Sequence, residues 1–233
     1  MTQAMRDSIL AKHNELRNKV ASGNQSGQPK ASNMMEAVWS TELENHAQKW
    51  ANTCPGGHNP VRKTASFPLT GENMYWKFGG TFDPLPGIQA WYDEVKDFPS
   101  SHVENYQFSS VTGHYTQVVW HDSDEIGCAF AQYDKTKYVF VCNYYKFGNL
   151  RGAKVYTIGD PCKTCTCSSK FTSLCKAGST STNTTTNTTT NNTNNNNNNN
   201  NNPSSNPLHP NFKFGIRSIL SFGIMLVLII STI

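Results

Sequence analysis

This 233-residue chain contains seven cysteines, whose thiols can form disulfides or bind a metal, and four of them lie close together between residues 162 and 175. These four are Cys162, Cys165, Cys167 and Cys175. Cys162 and Cys165 have the spacing of half a zinc site, but the other two are more widely spread and no histidine lies nearby. Because so many cysteines are typical of an oxidising compartment, we expect disulfide bonds here rather than zinc.

Composition and charge exclude some other classes of function. Twenty basic and sixteen acidic residues give a net charge of +4, and the basic residues are scattered rather than clustered. That distribution is typical of ordinary solubility and argues against nucleic acid as a partner. The chain also lacks a Gly-x-Ser-x-Gly sequence, the nucleophile motif of α/β-hydrolases.

The chain divides by composition into a folded part and a polar tail. Nearly all aromatic residues lie within residues 1–160, whereas residues 180–202 are only Ser, Thr and Asn. The first part is long enough to bury a core, but the second has no apolar side chains to offset the entropy of ordering. We expect a folded domain over residues 4–160, a cysteine-rich hinge over 161–176, a disordered stalk over 177–210 and a hydrophobic attachment signal over 211–233.

Hydrophobic spacing in the folded part predicts three helices. The first covers about residues 4–20, where apolar residues recur at helical intervals. The second opens with Thr41-x-x-Glu44, the pattern of a capping box. The third lies between Gly87 and Pro99.

Beyond Val111 the sequence favours strands instead. Strand-forming types occupy Tyr115, Val118, Val119 and Trp120. Residues 126–133 and 138–145 have the pattern of a β-hairpin. A three-residue loop would place Cys128 opposite Cys142, near enough for a disulfide. Helices around an antiparallel sheet indicate a layered domain of the α/β or α+β type.

Five short motifs, in order along the chain, resemble the CAP superfamily of cysteine-rich secretory proteins, venom antigens and pathogenesis-related proteins. They are Gly71-Glu72-Asn73, Trp91-Tyr92-Asp93-Glu94, Gly113-His114-Tyr115-Thr116-Gln117-Val118-Val119-Trp120, Gly127-Cys128-Ala129 and Val141-Cys142-Asn143-Tyr144. The resemblance implies an α/β fold, a three-layer α/β/α sandwich, followed by a hinge with two internal disulfides. It leaves Cys54 without its usual partner, because Tyr133 occupies that partner's position.

The resemblance also implies a cleft lined by two histidines and two glutamates. By motif these residues are His58, Glu72, Glu94 and His114. Two imidazoles suit Zn²⁺ or another divalent metal, which His58 and His114 would bind while the carboxylates ligate it or orient the rings. The alternative is that the His–Glu pairs only tie loops together. A metal-dependent hydrolase using this cleft is the minority interpretation, so we favour a protein that is not an enzyme.

Some relatives bind sterols or fatty acids through a loop that follows the Gly-Glu-Asn motif. The corresponding stretch here, residues 77–87, contains Phe78, Phe82 and Leu85 among glycines and prolines. It is either a flexible apolar flap or an ordinary loop with packed aromatic rings. The resemblance thus implies a sterol, a fatty acid or an extracellular protein as partner.

The last part of the sequence predicts attachment to a membrane. As a helix, apolar residues 219–233 would extend about 22 Å, short of the ~30 Å hydrocarbon core. With the small residues Ser204 and Ser205 upstream, this is the pattern of a GPI-attachment signal. A short transmembrane helix beginning near Phe212 is the alternative.

Several features together indicate an extracellular location, either secreted or on the outer face of the plasma membrane. Candidate N-glycosylation sites occur at Asn24, Asn183, Asn187 and Asn191. Residues 1–16 lack the apolar run of a signal peptide, so we expect a signal upstream of this sequence or, less simply, an unconventional route of export. A stalked adhesion or coat protein is a further functional alternative.

Overall fold

The structure is a computed structural model that describes residues 1–178. The expected attachment signal and the expected stalk beyond residue 178, with Ser204, Ser205, Asn183, Asn187 and Asn191, lie outside the described residues. Within residues 1–178, no helix is both long and apolar enough to cross a membrane.

The described residues contain four α-helices, two 3-10 helices and four strands. The helices are α1 Gln3–Ala21, α2 Thr41–Ala51, α3 Leu85–Asp93 and α4 Gly113–Val118, and the 3-10 helices are Glu94–Asp97 and Ser100–His102. The strands are β1 Val38–Trp39, β2 Gly71–Phe78, β3 Glu125–Asp134 and β4 Lys137–Tyr145.

The predictions of the first two helices are confirmed, with a correction at the second. Ser40, not Thr41, is the N-cap of α2. Glu44 closes no capping box, because its carboxylate accepts hydrogen bonds from Arg6 Nε and Nη2 and from Trp39 Nε1. Hydrogen bonds between a guanidinium and a carboxylate are stronger than bonds to a neutral backbone N–H, so Glu44 binds Arg6 rather than the N-cap backbone.

The expectation of a strand around Tyr115 to Trp120 is wrong, because the structure forms α4 there. Glu94 Oε2 accepts the backbone N–H groups of His114 and Tyr115 at the first turn. A carboxylate at this position satisfies donors that have no partner within the helix and complements the helix dipole. Tertiary packing thus overrides the β propensity of the apolar residues.

The sheet has the strand order β1-β3-β4-β2, with β1 parallel to β3 and the other pairs antiparallel. The β3–β4 hairpin was predicted, and Cys128 does face Cys142 and bonds to it. The turn is shorter than expected, since an irregularity between Gln132 and Asp134 shifts the register near the tip. The edge strand β2 was not predicted.

Two apolar clusters on opposite faces of the sheet give the three layers. One face carries α1, α3 and α4 over sheet residues such as Phe140 and Tyr144. On the other face, Ala47 and Ala51 of α2 pack against Met74, Ala129, Val139 and Val141. The structure therefore confirms the three-layer α/β/α sandwich.

The four clustered cysteines form two disulfides, Cys162–Cys167 and Cys165–Cys175. Their thiols are therefore consumed in bridges, which agrees with the preference for disulfides over zinc. Within residues 1–178, Cys54 is the one cysteine outside a disulfide, and it is exposed.

Candidate functional site

His58 and Glu72 form the first of two histidine–glutamate pairs. The His58 Nδ1 atom lies 2.8 Å from Glu72 Oε1, which also accepts the backbone N–H of Asn59 at 3.0 Å. Glu72 is the second residue of β2 and its side chain is 0% exposed, whereas the His58 side chain is 23% exposed. Arg62 Nη2 stands 3.8 Å from the same carboxylate oxygen. The pair thus ties the loop before β2 to the sheet and leaves one edge of the imidazole open.

His114 and Glu94 form the second pair. His114 Nδ1 lies 2.6 Å from Glu94 Oε1, and Glu94 Oε2 accepts the N–H groups of His114 and Tyr115 at 2.9 and 3.0 Å. Glu94 opens the 3-10 helix after α3, and His114 is the second residue of α4. Both side chains remain partly exposed, at 31% for His114 and 21% for Glu94.

Two consecutive residues near the start of β2, Glu72 and Asn73, each contact one of the histidines. Asn73 Nδ2 donates to the backbone carbonyl of His114 at 3.1 Å, and Glu72 holds His58. Because successive side chains of a strand point to opposite faces, Glu72 and Asn73 make these two contacts on opposite faces of β2. The Trp91 ring stacks on His114, with 6.3 Å between centroids, and its Nε1 donates to the carbonyl of Met74. The structure therefore brings the four motif residues together as two separate pairs at one end of β2.

The carboxylates determine which imidazole nitrogen is available. An ionised carboxylate only accepts hydrogen bonds, so Nδ1 carries the hydrogen in each pair, and in the neutral imidazole Nε2 then keeps its lone pair. In the described part of the chain, no protein group hydrogen-bonds to Nε2 of His58 or of His114. This is the arrangement in which carboxylates orient metal-binding histidines. Each pair therefore leaves one imidazole nitrogen of the kind that binds a metal ion.

The same residues offer few further ligands. Within residues 1–178, no three His, Cys, Asp or Glu side chains come together in a way that would hold a metal ion. Any metal bound by His58 and His114 would fill its remaining positions with water or with groups from a partner. The fit is to an open, low-affinity site rather than to a closed structural one.

His13 is buried and serves packing instead. Its Nδ1 lies 2.9 Å from the Ile9 carbonyl and its Nε2 lies 3.0 Å from the Tyr144 hydroxyl. Burial lowers the pKa of His13 from 6.5 to about 4. Both ring nitrogens are engaged and the ring is neutral at ordinary pH, so His13 is not available as a ligand.

The three apolar residues of the expected lipid loop occupy different environments. Phe78 ends β2 and is 67% exposed, followed by Gly79 and Gly80 with positive φ angles. Phe82 stacks on Phe130 with 4.2 Å between ring centroids, and Leu85 begins α3. Phe78 alone of the three extends into solvent. Asn24, the candidate glycosylation site within the described residues, is exposed after α1.

Sequence reasoning missed the partners that hold the pairs in place. Arg62, Asn73 and Trp91 each contact a member of a pair or the strand beneath it. Asn73 and Trp91 lie within two of the five motifs, and their place in those motifs could have indicated that they support the site. Nothing local marks Arg62, because its contact with Glu72 depends on how the intervening loop folds.

Comparisons with known proteins agree with the fold and with the motifs. The model of CAP, the cysteine-rich secretory protein family, matches residues 10–144. The chain is 40% identical to Scoloptoxin SSD976 of Scolopendra dehaani over 178 residues, 73% of this chain and 83% of the relative. It is 39% identical to Venom allergen 5 of Microctonus hyperodae over 169 residues, 67% of this chain and 72% of the relative. The chain belongs to the CAP family.

Solved structures extend the comparison. Na-ASP-1 aligns with a TM-score of 0.65 and 32% identity over 75% of this chain, which spans only 47% of that longer protein. A structure described as NaASP2 with Zn²⁺ aligns with a TM-score of 0.63 and 26% identity, covering 75% of this chain and 96% of the other. The secretory family and the three disulfides together support an extracellular location.

Proposed function

We propose that this chain is an extracellular binding module whose cleft presents a divalent metal ion through His58 and His114. The observation that carries the proposal is the same in both pairs: Nδ1 is hydrogen-bonded to a glutamate, and Nε2 has no hydrogen-bond partner among residues 1–178. A similar protein described with Zn²⁺ adds support. Bound there, the metal would offer open coordination positions to a partner.

Binding is favoured over hydrolysis because three of the four carboxylate oxygens are occupied and the fourth, Glu72 Oε2, is buried. Glu94 uses both oxygens and Glu72 uses Oε1 to hold an imidazole and backbone N–H groups. A general base needs an unoccupied oxygen within reach of water or substrate. A metal-dependent hydrolase at this cleft would show a turnover that is lost both on chelation and in His114→Ala.

Calorimetric titration of Zn²⁺ into the metal-free protein tests the proposal. We expect weak binding that falls ~10-fold or more in His58→Gln and in His114→Gln, as for the loss of a ligand or its orientation. His102→Gln is the matched control, since His102 is outside both pairs. Equal Zn²⁺ affinity in all four proteins would refute the site.

A second candidate function, contact with a lipid or sterol, rests on the exposure of Phe78. A large aromatic side chain in solvent, beside two glycines that free the backbone, suits insertion into an apolar ligand or surface. Retention of labelled sterol or fatty acid should fall in Phe78→Ser and stay unchanged in Val111→Ser, an exposed apolar residue elsewhere. No retention above that of a denatured sample would exclude this function.

Attachment to the cell surface is proposed on the sequence of the tail alone. Release of the exported protein by a phosphatidylinositol-specific phospholipase would identify a GPI anchor, for which Ser204 and Ser205 are the proposed attachment residues, and resistance would favour the transmembrane alternative. If the protein is a stalked adhesion or coat protein, deletion of residues 179–202 should impair its surface function while the domain stays folded.

A further inference from the structure

A group of buried polar atoms without partners lies beside the His58–Glu72 pair. Within the described residues, Glu72 Oε2, Arg62 Nη2 and both side-chain polar atoms of Asn143 are buried and have no hydrogen-bond partner. Asn143 is opposite Glu72 in the antiparallel pairing of β2 with β4, so their side chains share a face of the sheet. The four atoms therefore belong to one small region behind the carboxylate.

Direct bonds do not satisfy this region. The 3.8 Å between Arg62 Nη2 and Glu72 Oε1 is too long for a hydrogen bond. On its other side, Asn143 pairs with Gly127, where an added Cβ would meet the backbone of Ser40, Leu43 and Glu44. Because the start of α2 fills that side, the direction left for the Asn143 amide is toward Glu72.

The composition of the region fits water. It combines two donors, Arg62 Nη2 and Asn143 Nδ2, with two acceptors, Glu72 Oε2 and Asn143 Oδ1. Buried water typically makes about three hydrogen bonds to such otherwise unsatisfied groups. A metal cation is disfavoured by the guanidinium.

We propose that Glu72, Arg62 and Asn143 enclose an internal water site, and that Asn143 is a positioning residue for His58. Through this water, Asn143 fixes the free oxygen of Glu72 and thereby the rotation of the carboxylate that holds His58 Nδ1. The inference deepens the proposed metal-binding function, which needs His58 held with Nε2 outward. Its structural part is independent of whether metal binds.

The second pair provides an internal reference. Both oxygens of Glu94 already have protein partners, and within the described residues the Asn143 side chain makes no hydrogen bond to that pair. A change at Asn143 should therefore alter the geometry of His58 and leave that of His114 unchanged.

Nuclear magnetic resonance of the metal-free protein tests both parts. In the wild-type protein we expect a rotating-frame Overhauser signal between water and the Asn143 side-chain amide. The amide of Asn14 is the control, because it is buried but donates to the Ala37 carbonyl, and it should show no such signal. A missing water signal at Asn143, or a direct Asn143–Glu72 hydrogen bond in its place, overturns the water site.

The positioning role is tested by ring-nitrogen shifts in variants. Asn143→Leu should move the His58 shifts away from a pure Nδ1–H tautomer, while the His114 shifts stay fixed. Asn143→Ser, which retains a polar atom and leaves room for water, should restore most of the His58 signal. Unchanged His58 shifts in Asn143→Leu refute the positioning role, and if that variant does not fold, unchanged shifts in Asn143→Ala do so. Because no metal is present, failure here is distinct from failure to bind Zn²⁺.

Discussion

At the scale of single residues, the buried cation Arg17 joins several segments of the domain. Its guanidinium donates five hydrogen bonds to the backbone carbonyls of Met35, Val118, Trp120 and His121. Burial lowers its pKa to about 10, so it stays charged at physiological pH. These carbonyls belong to the segment before β1, to the last residue of α4 and to the residues that follow it. Arg17 thus supplies hydrogen bonds to backbone that lies outside or at the end of regular secondary structure.

Removal of the Arg17 guanidinium should strongly destabilise the folded domain. Arg17→Met would leave the Met35 and Val118 carbonyls without a donor, because those of Trp120 and His121 keep backbone N–H donors. Each lost partner costs about 1–3 kcal/mol, so we expect a loss of several kcal/mol in the free energy of unfolding. Arg151→Met, at an exposed position over the Phe108 ring, should cost at most about 1 kcal/mol. Urea unfolding with the disulfides intact measures both, and similar midpoints for the two variants would contradict this role of Arg17.

His13 should make stability depend on pH. Its folded pKa of about 4 lies below the ordinary value of 6.5, so the unfolded chain binds more protons between these pH values. His13 contributes most to the free energy of unfolding above pH 6.5, where it is neutral in both the folded and the unfolded chain. As the pH falls toward 4, this contribution is lost, by roughly 3 kcal/mol in total. The difference in unfolding free energy between wild type and His13→Gln should shrink over this window. A His102→Gln variant should follow the wild-type profile; a pH-independent difference for His13→Gln would be contrary evidence.

At the scale of elements, α4 depends on a distant carboxylate. Glu94→Ala would leave the N–H groups of His114 and Tyr115 without their acceptor, a loss comparable to that of a helix cap, about 1 kcal/mol. We expect faster amide hydrogen exchange at these two residues, by roughly fivefold or more. Asp93→Ala is the matched control, since the Asp93 side chain binds Gln89 at the surface. Unaltered exchange in Glu94→Ala would show that α4 forms without the carboxylate.

The same element explains the limits of prediction from sequence. Periodicity sufficed for α1, whose apolar residues face one core, and pairing geometry sufficed for Cys128 and Cys142. Local residue preference failed for α4, because Glu94, some twenty positions earlier, stabilises a helix made of residues that favour strands. The strand β2 lacks a clear alternation, since its first four residues are all buried. The His–Glu pairs were reached through family motifs, because their contacts join residues far apart in sequence.

At the scale of the whole molecule, the cysteine-rich segment is part of the main core rather than an appendage. Phe171 and Leu174 belong to the same apolar cluster as α1 and α3. The backbone of Cys175 bonds to Met34 and Glu36, and Ser173 bonds to Asn18 of α1. The two hinge disulfides thus stabilise a segment that closes the domain near β1.

Shortening a side chain in this segment should therefore destabilise the entire domain. Leu174 is completely buried, and Leu174→Ala should lower the free energy of unfolding by about 2–5 kcal/mol. Lys170→Ala, at an exposed position of the same segment, should change it by less than ~0.5 kcal/mol. Thermal unfolding followed by tryptophan fluorescence reports on the main domain. A local transition of the hinge alone, with the main transition unmoved, would mean that the segment is independent.

Two neighbouring residues of β2 contact the two histidines, so the protein could lose its site through a change in this strand without unfolding. Glu72 and Asn73 face opposite sides of an edge strand whose only strand partner among residues 1–178 is β4. Sliding that strand by a single position would exchange the two sides, because alternation has a period of two. It would free the His58 imidazole from Glu72 and remove the Asn73 hydrogen bond to the His114 carbonyl. The register of one edge strand therefore determines the side-chain partner of His58 and a backbone contact of His114.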